Sequence, residues 1–246
     1  ASYNMAVDES LLIHQSGAGT SPPTIRLSTW ANTAVSVGYS QDLERCGIDL
    51  SYCRDSRIEV VRRPTGGRSV IHGHDLTVSL VMRIEDLPPD ARSLLAGHRW
   101  IMRGIATGLR RLDVECEPGE ADSVRRGSPD CFDRSMTCDL RTAQGKVAGG
   151  AQVRRDGALL EQISIPCTRS SIDRARLFGA GDGSGFSLGV PIAAAARAIE
   201  AGLSQFLGGT VERDILNEGE RRTAGNLSSH KYSTDDWNYR REPAFR

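Results

Sequence analysis

Segments with the alternation of β-strands are clustered early and in the middle of the chain, and helical segments lie between and after them. The alternation is clearest over residues 76–84, where Leu76, Val78, Leu80 and Met82 share one face. A strand with one apolar face has to be covered on that face by another layer. The order of the segments differs from a regular series of strand, helix and strand. We therefore predict an α+β fold, a single domain with a mixed central β-sheet flanked by helices.

The other predicted elements set the domain organisation. Further strands are predicted over residues 24–28, 34–39, 58–63, 68–72, 146–154, 158–165 and 210–213. Helices are predicted over residues 2–15 and 91–112, from Pro191, and from Asn217. Asp156-Gly157 between two of the strands is typical of a β-hairpin turn. The alternative to one domain over residues 1–246 is a small C-terminal subdomain at residues 188–246.

Composition excludes several classes of protein. The 246 residues are 39% hydrophobic and 25% charged, as in globular proteins, which argues against disorder. No stretch approaches the roughly 18 consecutive apolar residues of a membrane-spanning helix, and no apolar block opens the chain, so we expect a cytoplasmic protein. Basic and acidic residues balance at 31 each. This balance removes the simplest electrostatic argument for nucleic acid or an anionic membrane as the main partner.

Lysine is nearly absent from the chain. Lys146 and Lys231 are the only lysines among 31 lysines and arginines. A guanidinium is a planar fork that is always charged, whereas an ammonium is a compact charge. A lysine retained here is a candidate for a site that needs a compact charge, although the count alone fits a compositional accident at least as well.

The cysteines do not have the pattern of a metal site. They stand at positions 46, 53, 116, 131, 138 and 167, without a Cys-x-x-Cys pair or clustered Cys/His spacing. Disulfides are the weaker expectation without a secretion signal. We expect most of these side chains to be buried, and one to be a candidate nucleophile that spacing does not identify.

Residues 62–72, Arg-Arg-Pro-Thr-Gly-Gly-Arg-Ser-Val-Ile-His, are the segment richest in functional groups. A strand runs into a turn whose glycines let backbone amides approach a ligand closely, and three arginines flank that turn. On physical grounds the turn suits a phosphate, a carboxylate or a polarised carbonyl. A plain hairpin turn is the alternative.

This segment and the motifs around it resemble the lipoate–protein ligase and octanoyltransferase superfamily, which is related to biotin–protein ligases. The other matching motifs are NMAVDESLL at 4–12, SVGYSQ at 36–41, DLTVS at 75–79, CFD at 131–133, GKVAGGAQVRRDG at 145–157 and KYSTDDWNYRR at 231–241. They follow the order of the family over nearly the whole chain. The resemblance implies an α+β domain with an acyl tunnel, lined by the RRPTGGR turn and the GKVAGGAQ strand. It also implies a short strand ahead of Ala1.

Two differences within this superfamily favour acyl transfer over ATP-dependent ligation. Ligases usually carry a third glycine where this chain has Arg68, and tend to have Gly-Asn where it has Asp75 two residues before Thr77. Cys131 matches the nucleophilic cysteine of ligase-like octanoyltransferases, which need no nucleotide or other cofactor. We therefore predict an octanoyltransferase of lipoate biosynthesis. An ATP-dependent lipoate–protein ligase and a non-catalytic homologue that binds lipoyl domains are the alternatives.

The resemblance also implies the role of each site residue. Cys131 would take the octanoyl group from octanoyl-acyl carrier protein and pass it to a lysine of a lipoyl domain, such as the glycine-cleavage H protein. Lys146 would stabilise the thiolate, the developing oxyanion, or both, with an ordinary surface lysine as the alternative. The predicted substrate-binding residues are Arg62, Arg63, Gly66, Gly67, Arg68, His72 and Gly149.

Some of these residues have a second interpretation. His72 is equally compatible with a buried, hydrogen-bonded strand histidine. The arginines position the turn or meet the acidic surface of a carrier protein, with solvated charges at a strand end as the alternative. Cys138 is the competing thiol, and we expect it to be packed.

The chain departs from the family at two places. Residues 134–138 replace Pro-Ser-Trp-Tyr after the CFD motif, and Gln162-Ile163 replaces a His-Gly pair. The second change introduces a branched side chain where backbone normally approaches the site. We therefore expect any difference in acyl-chain length, acceptor choice or activity to arise there.

Overall fold

The computed structural model describes residues 1–16, 21–119, 129–132, 137–179 and 186–242. Its helices are α1 (Ser2–Ser16), α2 (Leu50–Asp55), α3 (Leu94–Arg110), α4 (Arg174–Phe178), α5 (Ile192–Leu207) and α6 (Glu218–Leu227). Its strands are β1 (Thr24–Ser28), β2 (Ala34–Val37), β3 (Glu59–Arg62), β4 (Val70–His72), β5 (Asp75–Arg83), β6 (Glu117–Pro118), β7 (Leu140–Thr142), β8 (Gly145–Arg155) and β9 (Ala158–Pro166). Short 3-10 turns at Ile84–Asp86 and Pro89–Ala91 precede α3, and two π-helical turns at Ser228–Tyr232 and Asp236–Arg240 follow α6.

The strands form two sheets. The larger has the order β1-β5-β9-β8-β7-β6 and is antiparallel throughout. The smaller has the order β3-β2-β4, with β2 parallel to β3 and antiparallel to β4. The predicted α+β class with a mixed sheet flanked by helices is confirmed, and the parallel pair lies in the smaller sheet.

The two faces of β5 separate the apolar core from the candidate site. Leu76, Val78, Leu80 and Met82 are buried in the main core, which also contains the inner residues of α3 and α5. Their alternating neighbours include Thr77, Ser79 and Asp75, which are polar and also buried. Because alternate side chains of a strand point to opposite faces, one face of the central sheet is apolar and the other presents buried polar groups.

Helices α3 and α5 approach each other closely at a pair of glycines. A Cβ atom on Gly202 would lie 2.2 Å from Gly108 Cα and 2.3 Å from Gly108 N. Both obstructing atoms belong to the backbone, so no side-chain rotation relieves the clash.

We therefore expect Gly202→Ala to destabilise the fold by about 3 kcal/mol, the upper end of the usual cost of overpacking. Chemical denaturation measures this loss. Gly209→Ala is the matched control, since a Cβ there meets nothing within 4 Å. Equal unfolding midpoints for the two variants would show that α3 and α5 can move apart without loss of stability.

The C-terminal part differs from the sequence prediction in one strand. Residues 210–213 have no strand structure, so that prediction is wrong. The helix predicted from Asn217 is confirmed as α6. Asn217 and Glu220 form a reciprocal capping box at its start. Helix α5 packs on α3 and α6 packs on α1. The division of residues 188–246 from the rest stays a prediction.

Two predicted loops fall mainly outside the described residues. The polar loop over 119–130 falls largely at 120–128, and the glycine-rich connection over 179–189 falls largely at 180–185. In the described part of the chain, no helix has both the length and the apolar character needed to cross a membrane.

Candidate active site

A cavity of about 420 Å³ opens onto the polar face of the central sheet, between that sheet and the smaller one. Its lining combines apolar side chains, including Met5, Trp30 and Val70, with polar and charged side chains. Such a combination is typical of ligand sites, in which apolar walls hold a ligand and a few polar groups orient it. The lining polar residues that the sequence singled out are Cys131, Lys146, Arg63, Arg68, His72 and Gln162.

The structure brings Cys131 and Lys146 together. Lys146 Nζ lies 3.2 Å from Cys131 Sγ and 3.1 Å from the Cys131 carbonyl oxygen. The ammonium also lies 2.8 Å from Asp139 Oδ2. An ammonium has three N–H donors, so these three acceptors account for all of them.

Lys146 is a buried charge that these three acceptors stabilise. Burial by itself lowers the pKa of Lys146, but the negative charges of Cys131 and Asp139, and the hydrogen bonds to them, outweigh it and raise that pKa. The ammonium therefore stays protonated at neutral pH, beside a sulfur that can carry negative charge. Sequence reasoning missed Asp139, whose only signal was a carboxylate directly before an apolar residue, Leu140.

The surroundings of the cysteines separate Cys131 from the others. All six are free, and only Cys46 and Cys131 are partly exposed. Burial raises the pKa of the Cys53, Cys116 and Cys167 thiols to about 11, which makes them poor nucleophiles. Cys131 lines the cavity beside a cation.

Backbone hydrogen bonds attach the Cys131 segment to the arginine-rich motif. Cys131 N donates to Ser69 O at 2.8 Å, and Ser69 N donates to Pro129 O at 2.8 Å. The neighbouring Asp130 forms a buried ion pair with Arg174 at the start of α4. Neither Asp130 nor Arg174 was predicted, because their contact joins segments more than 40 residues apart.

The guanidinium of Arg63 holds the turn in shape. Its Nη2 donates to Gly66 O at 2.7 Å and to Arg68 O at 2.6 Å, and its Nη1 donates to Ser36 O at 3.1 Å. Burial lowers the pKa of Arg63 to about 10, so the group remains charged at neutral pH. Arg63 borders the cavity, but its hydrogen bonds serve the turn.

Arg62 does not line the cavity. It is 1% exposed, and its guanidinium donates to the carbonyl oxygens of Gly38, Tyr39, Gln41 and Trp237. These contacts tie the SVGYSQ segment to the C-terminal residues. The structure therefore places Arg62 in a supporting position, in contrast to the predicted substrate contact.

Three glycines of the prediction have different surroundings. Gly67 lines the cavity with φ +87°, a conformation that favours glycine, whereas Gly66 does not line it and a Cβ there would meet nothing. A Cβ on Gly149 would lie 2.3 Å from Lys146 Cε, so the missing side chain gives Lys146 its path across β8. Gly38, which was not predicted, approaches so closely that its Cβ would lie 2.0 Å from Gly67 O.

His72 lines the cavity and is also fully hydrogen-bonded. Its Nε2 lies 2.7 Å from Ser36 Oγ, its Nδ1 lies 2.8 Å from Asp75 Oδ2, and its ring stacks on Trp30 with centroids 3.9 Å apart. Burial raises the pKa of Asp75, but the charge of His72 and hydrogen bonds from His72 and Ser164 outweigh it and lower that pKa. The two interpretations of His72 are therefore compatible.

Gln162 and Ile163 point to opposite faces of β9. Gln162 Nε2 donates to Asp8 Oδ2 at 2.7 Å, and Gln162 Oε1 accepts from Thr65 Oγ1 at 2.7 Å. This amide links α1 to the glycine turn. Ile163 borders the cavity, but its side chain is buried in the core under α3. The branched side chain thus adds volume to the core.

Comparison with known proteins finds related sequences. Residues 1–179 match the family model described as lipoyl protein ligase A/B catalytic domain. The chain is 35% identical to octanoyltransferase LipM of Symbiobacterium thermophilum, with 97% of this chain and 94% of the relative covered. It is 34% identical to octanoyltransferase LipM of Kyrpidia tusciae, with 98% and 95% covered.

Solved structures have the same fold. A lipoate protein ligase from T. acidophilum with bound lipoic acid has a TM-score of 0.81 and 25% identity, with 97% of this chain and 93% of that chain covered. A structure of lipoate-protein ligase A bound with ATP gives the same values. The sequence relatives named above are thus transferases, and the structural relatives are ligases.

Proposed function

Since the chain belongs to the lipoyl protein ligase A/B catalytic domain family, we propose that it is an octanoyltransferase of lipoate biosynthesis, acting in the cytoplasm. The octanoyl group moves from octanoyl-acyl carrier protein to a lysine of a lipoyl domain, such as the glycine-cleavage H protein. The observation that carries this proposal is the 3.2 Å contact between Lys146 Nζ and Cys131 Sγ inside a largely apolar cavity. A ligase that activates its substrate with ATP has no use for such a thiol.

The first half of the proposed reaction loads the enzyme. The Cys131 thiolate attacks the thioester carbonyl carbon, a new C–S bond forms, and an electron pair moves onto the carbonyl oxygen. Return of that pair breaks the bond to the carrier sulfur, which leaves as a thiolate and takes a proton from solvent. Cys131 then carries the octanoyl group as a thioester.

The second half transfers the group to its acceptor. The neutral ε-amine of the lipoyl-domain lysine attacks the same carbonyl carbon, and the C–S bond breaks. The nitrogen loses a proton to solvent, and Cys131 returns to the thiolate that Lys146 stabilises. Met5, Trp30 and Val70 provide apolar surface for the octanoyl tail during both steps.

A two-armed transfer assay tests the proposal. In the first arm the protein is incubated with octanoyl-acyl carrier protein and an unmodified H protein, without nucleotide. In the second arm it is incubated with free lipoate, ATP, Mg²⁺ and the same acceptor. Intact mass of the H protein should show octanoylation in the first arm only. Product in the second arm only would establish the ligase alternative. Binding of the H protein without product in either arm would establish the non-catalytic alternative.

A further inference from the structure

The cavity lining contains a cationic side chain with one buried nitrogen that has no hydrogen-bond partner among the described residues. Arg68 lines the cavity, and its Nη1 is a buried atom with no hydrogen-bond partner in the described structure. Buried polar atoms without partners are rare, because each costs the desolvation of the group. An unsatisfied guanidinium nitrogen on a side chain that lines the cavity gives a ligand an acceptor role to fill, once the side chain turns toward it.

The other nitrogen donors of the lining side chains are already engaged. Lys146 donates to Asp139 and Cys131, and Arg63 donates to carbonyl groups of the turn and of Ser36. His72 has both ring nitrogens paired, Gln162 Nε2 donates to Asp8, and Trp30 Nε1 donates to Thr77 Oγ1. Among the lining side chains that the structure describes, Arg68 is therefore the charged donor left for a ligand.

The engagement of Lys146 matters most for the chemistry. Its ammonium faces the sulfur, and leaving the sulfur or Asp139 would break contacts of 3.2 and 2.8 Å. Acyl transfer develops negative charge on a second atom, the carbonyl oxygen, when the tetrahedral intermediate forms. While the ammonium keeps these three acceptors, it has no further N–H to donate to that oxygen. A second charged donor in the cavity would supply one.

We propose that Arg68 donates a hydrogen bond to the carbonyl oxygen of the acyl group and stabilises the oxyanion of both transfer steps. This inference rests on the proposed function and names a catalytic residue for it. When the sulfur attacks, an electron pair moves onto the carbonyl oxygen, and the guanidinium stabilises the resulting negative charge. The electron pair returns to the carbonyl bond when the leaving group departs. Arg68 gives up no proton, because a guanidinium stays charged throughout. Lys146 thus stabilises the charge on sulfur, and Arg68 stabilises the charge on oxygen.

Arg68→Met tests this role by the rate of the first transfer step. With saturating octanoyl-acyl carrier protein, we expect acylation of Cys131, followed by intact mass, to slow about 100-fold, as on loss of one oxyanion donor. The KM for the donor should change less than threefold. Arg103→Met, at an exposed position of α3, is the matched control and should acylate as fast as the unaltered protein.

Alkylation of Cys131 separates the oxygen role from an effect on sulfur. Iodoacetamide reacts with the thiolate by displacement at carbon and forms no oxyanion, so Arg68→Met should be alkylated within threefold of the unaltered rate. Arg68→Gly adds a rescue experiment, because guanidinium ion can occupy the space that the side chain leaves. Added guanidinium should recover part of the acylation rate of Arg68→Gly and none of the rate lost in Cys131→Ser.

Three results would overturn the inference. They are an unchanged acylation rate in Arg68→Met, a loss confined to KM as expected for a phosphate or docking contact, and an equal loss in alkylation. The failure of the proposed function looks different, since the unaltered protein itself would then form no acyl adduct. That result would remove the inference together with the function on which it rests.

Discussion

Cys131→Ser should form no detectable octanoyl adduct when incubated with octanoyl-acyl carrier protein, and its transfer to a lipoyl domain should fall by about 1000-fold or more. The substitution replaces a polarisable sulfur with a hydroxyl that stays protonated at neutral pH. The rest of the cavity is unchanged, since Lys146 still contacts Asp139 and the carbonyl oxygen of residue 131. Intact mass after a short incubation measures the adduct.

Two other cysteines provide controls for this result. Cys46→Ser removes the other partly exposed thiol, and Cys138→Ser removes a fully buried thiol seven residues along the chain. Both variants should keep the adduct. An adduct that survives in Cys131→Ser and maps by peptide mass to Cys138 would contradict the assignment, and so would undiminished transfer without any adduct.

The sequence predicted the central sheet well because its signals are local. Alternation over residues 76–84 and the Asp156-Gly157 turn depend only on neighbouring residues, and β5, β8 and β9 appear at the expected places. The separation of the strands into two sheets was not predicted, since pairing joins distant segments. Residues 210–213 show the converse, because a strand-like composition without a partner strand does not form a strand.

Site residues were predicted where one motif contains them and missed where contacts join distant segments. Cys131 and Lys146 meet as expected, but Asp139 was missed because a single carboxylate just before a strand has no distinctive pattern. Arg62, Arg63 and Arg68 look alike in the sequence. Only their burial and partners separate an arginine that supports the backbone, one that holds the turn, and one with a buried nitrogen that has no hydrogen-bond partner in the described part of the chain.

Lys146→Met is expected to slow both alkylation and acylation of Cys131 about 100-fold at pH 7, a change of roughly 2.7 kcal/mol. The ammonium lies 3.2 Å from the sulfur and is 5% exposed, so water screens their attraction poorly. Without it, the negative charge of the nearby Asp139 carboxylate further disfavours a thiolate. Alkylation by iodoacetamide and acylation by intact mass, measured on the same samples, should fall together, whereas Arg68→Met should lower acylation alone.

Lys146→Met also removes the cation that contacts Asp139, and for this reason it requires a second variant. Asp139 is 1% exposed, and removing one member of a buried ion pair destabilises a fold by about 3–5 kcal/mol. Asp139→Asn combined with Lys146→Met removes that charge and should restore thermal stability without restoring the rates. Lys146→Arg keeps the charge but enlarges the group in a space bounded by Gly149, so it should recover only part of the activity. If the stable double variant alkylated and acylated as fast as the unaltered protein, Lys146 would have a structural role only, and the thiolate would have to be stabilised by another cation of the cavity.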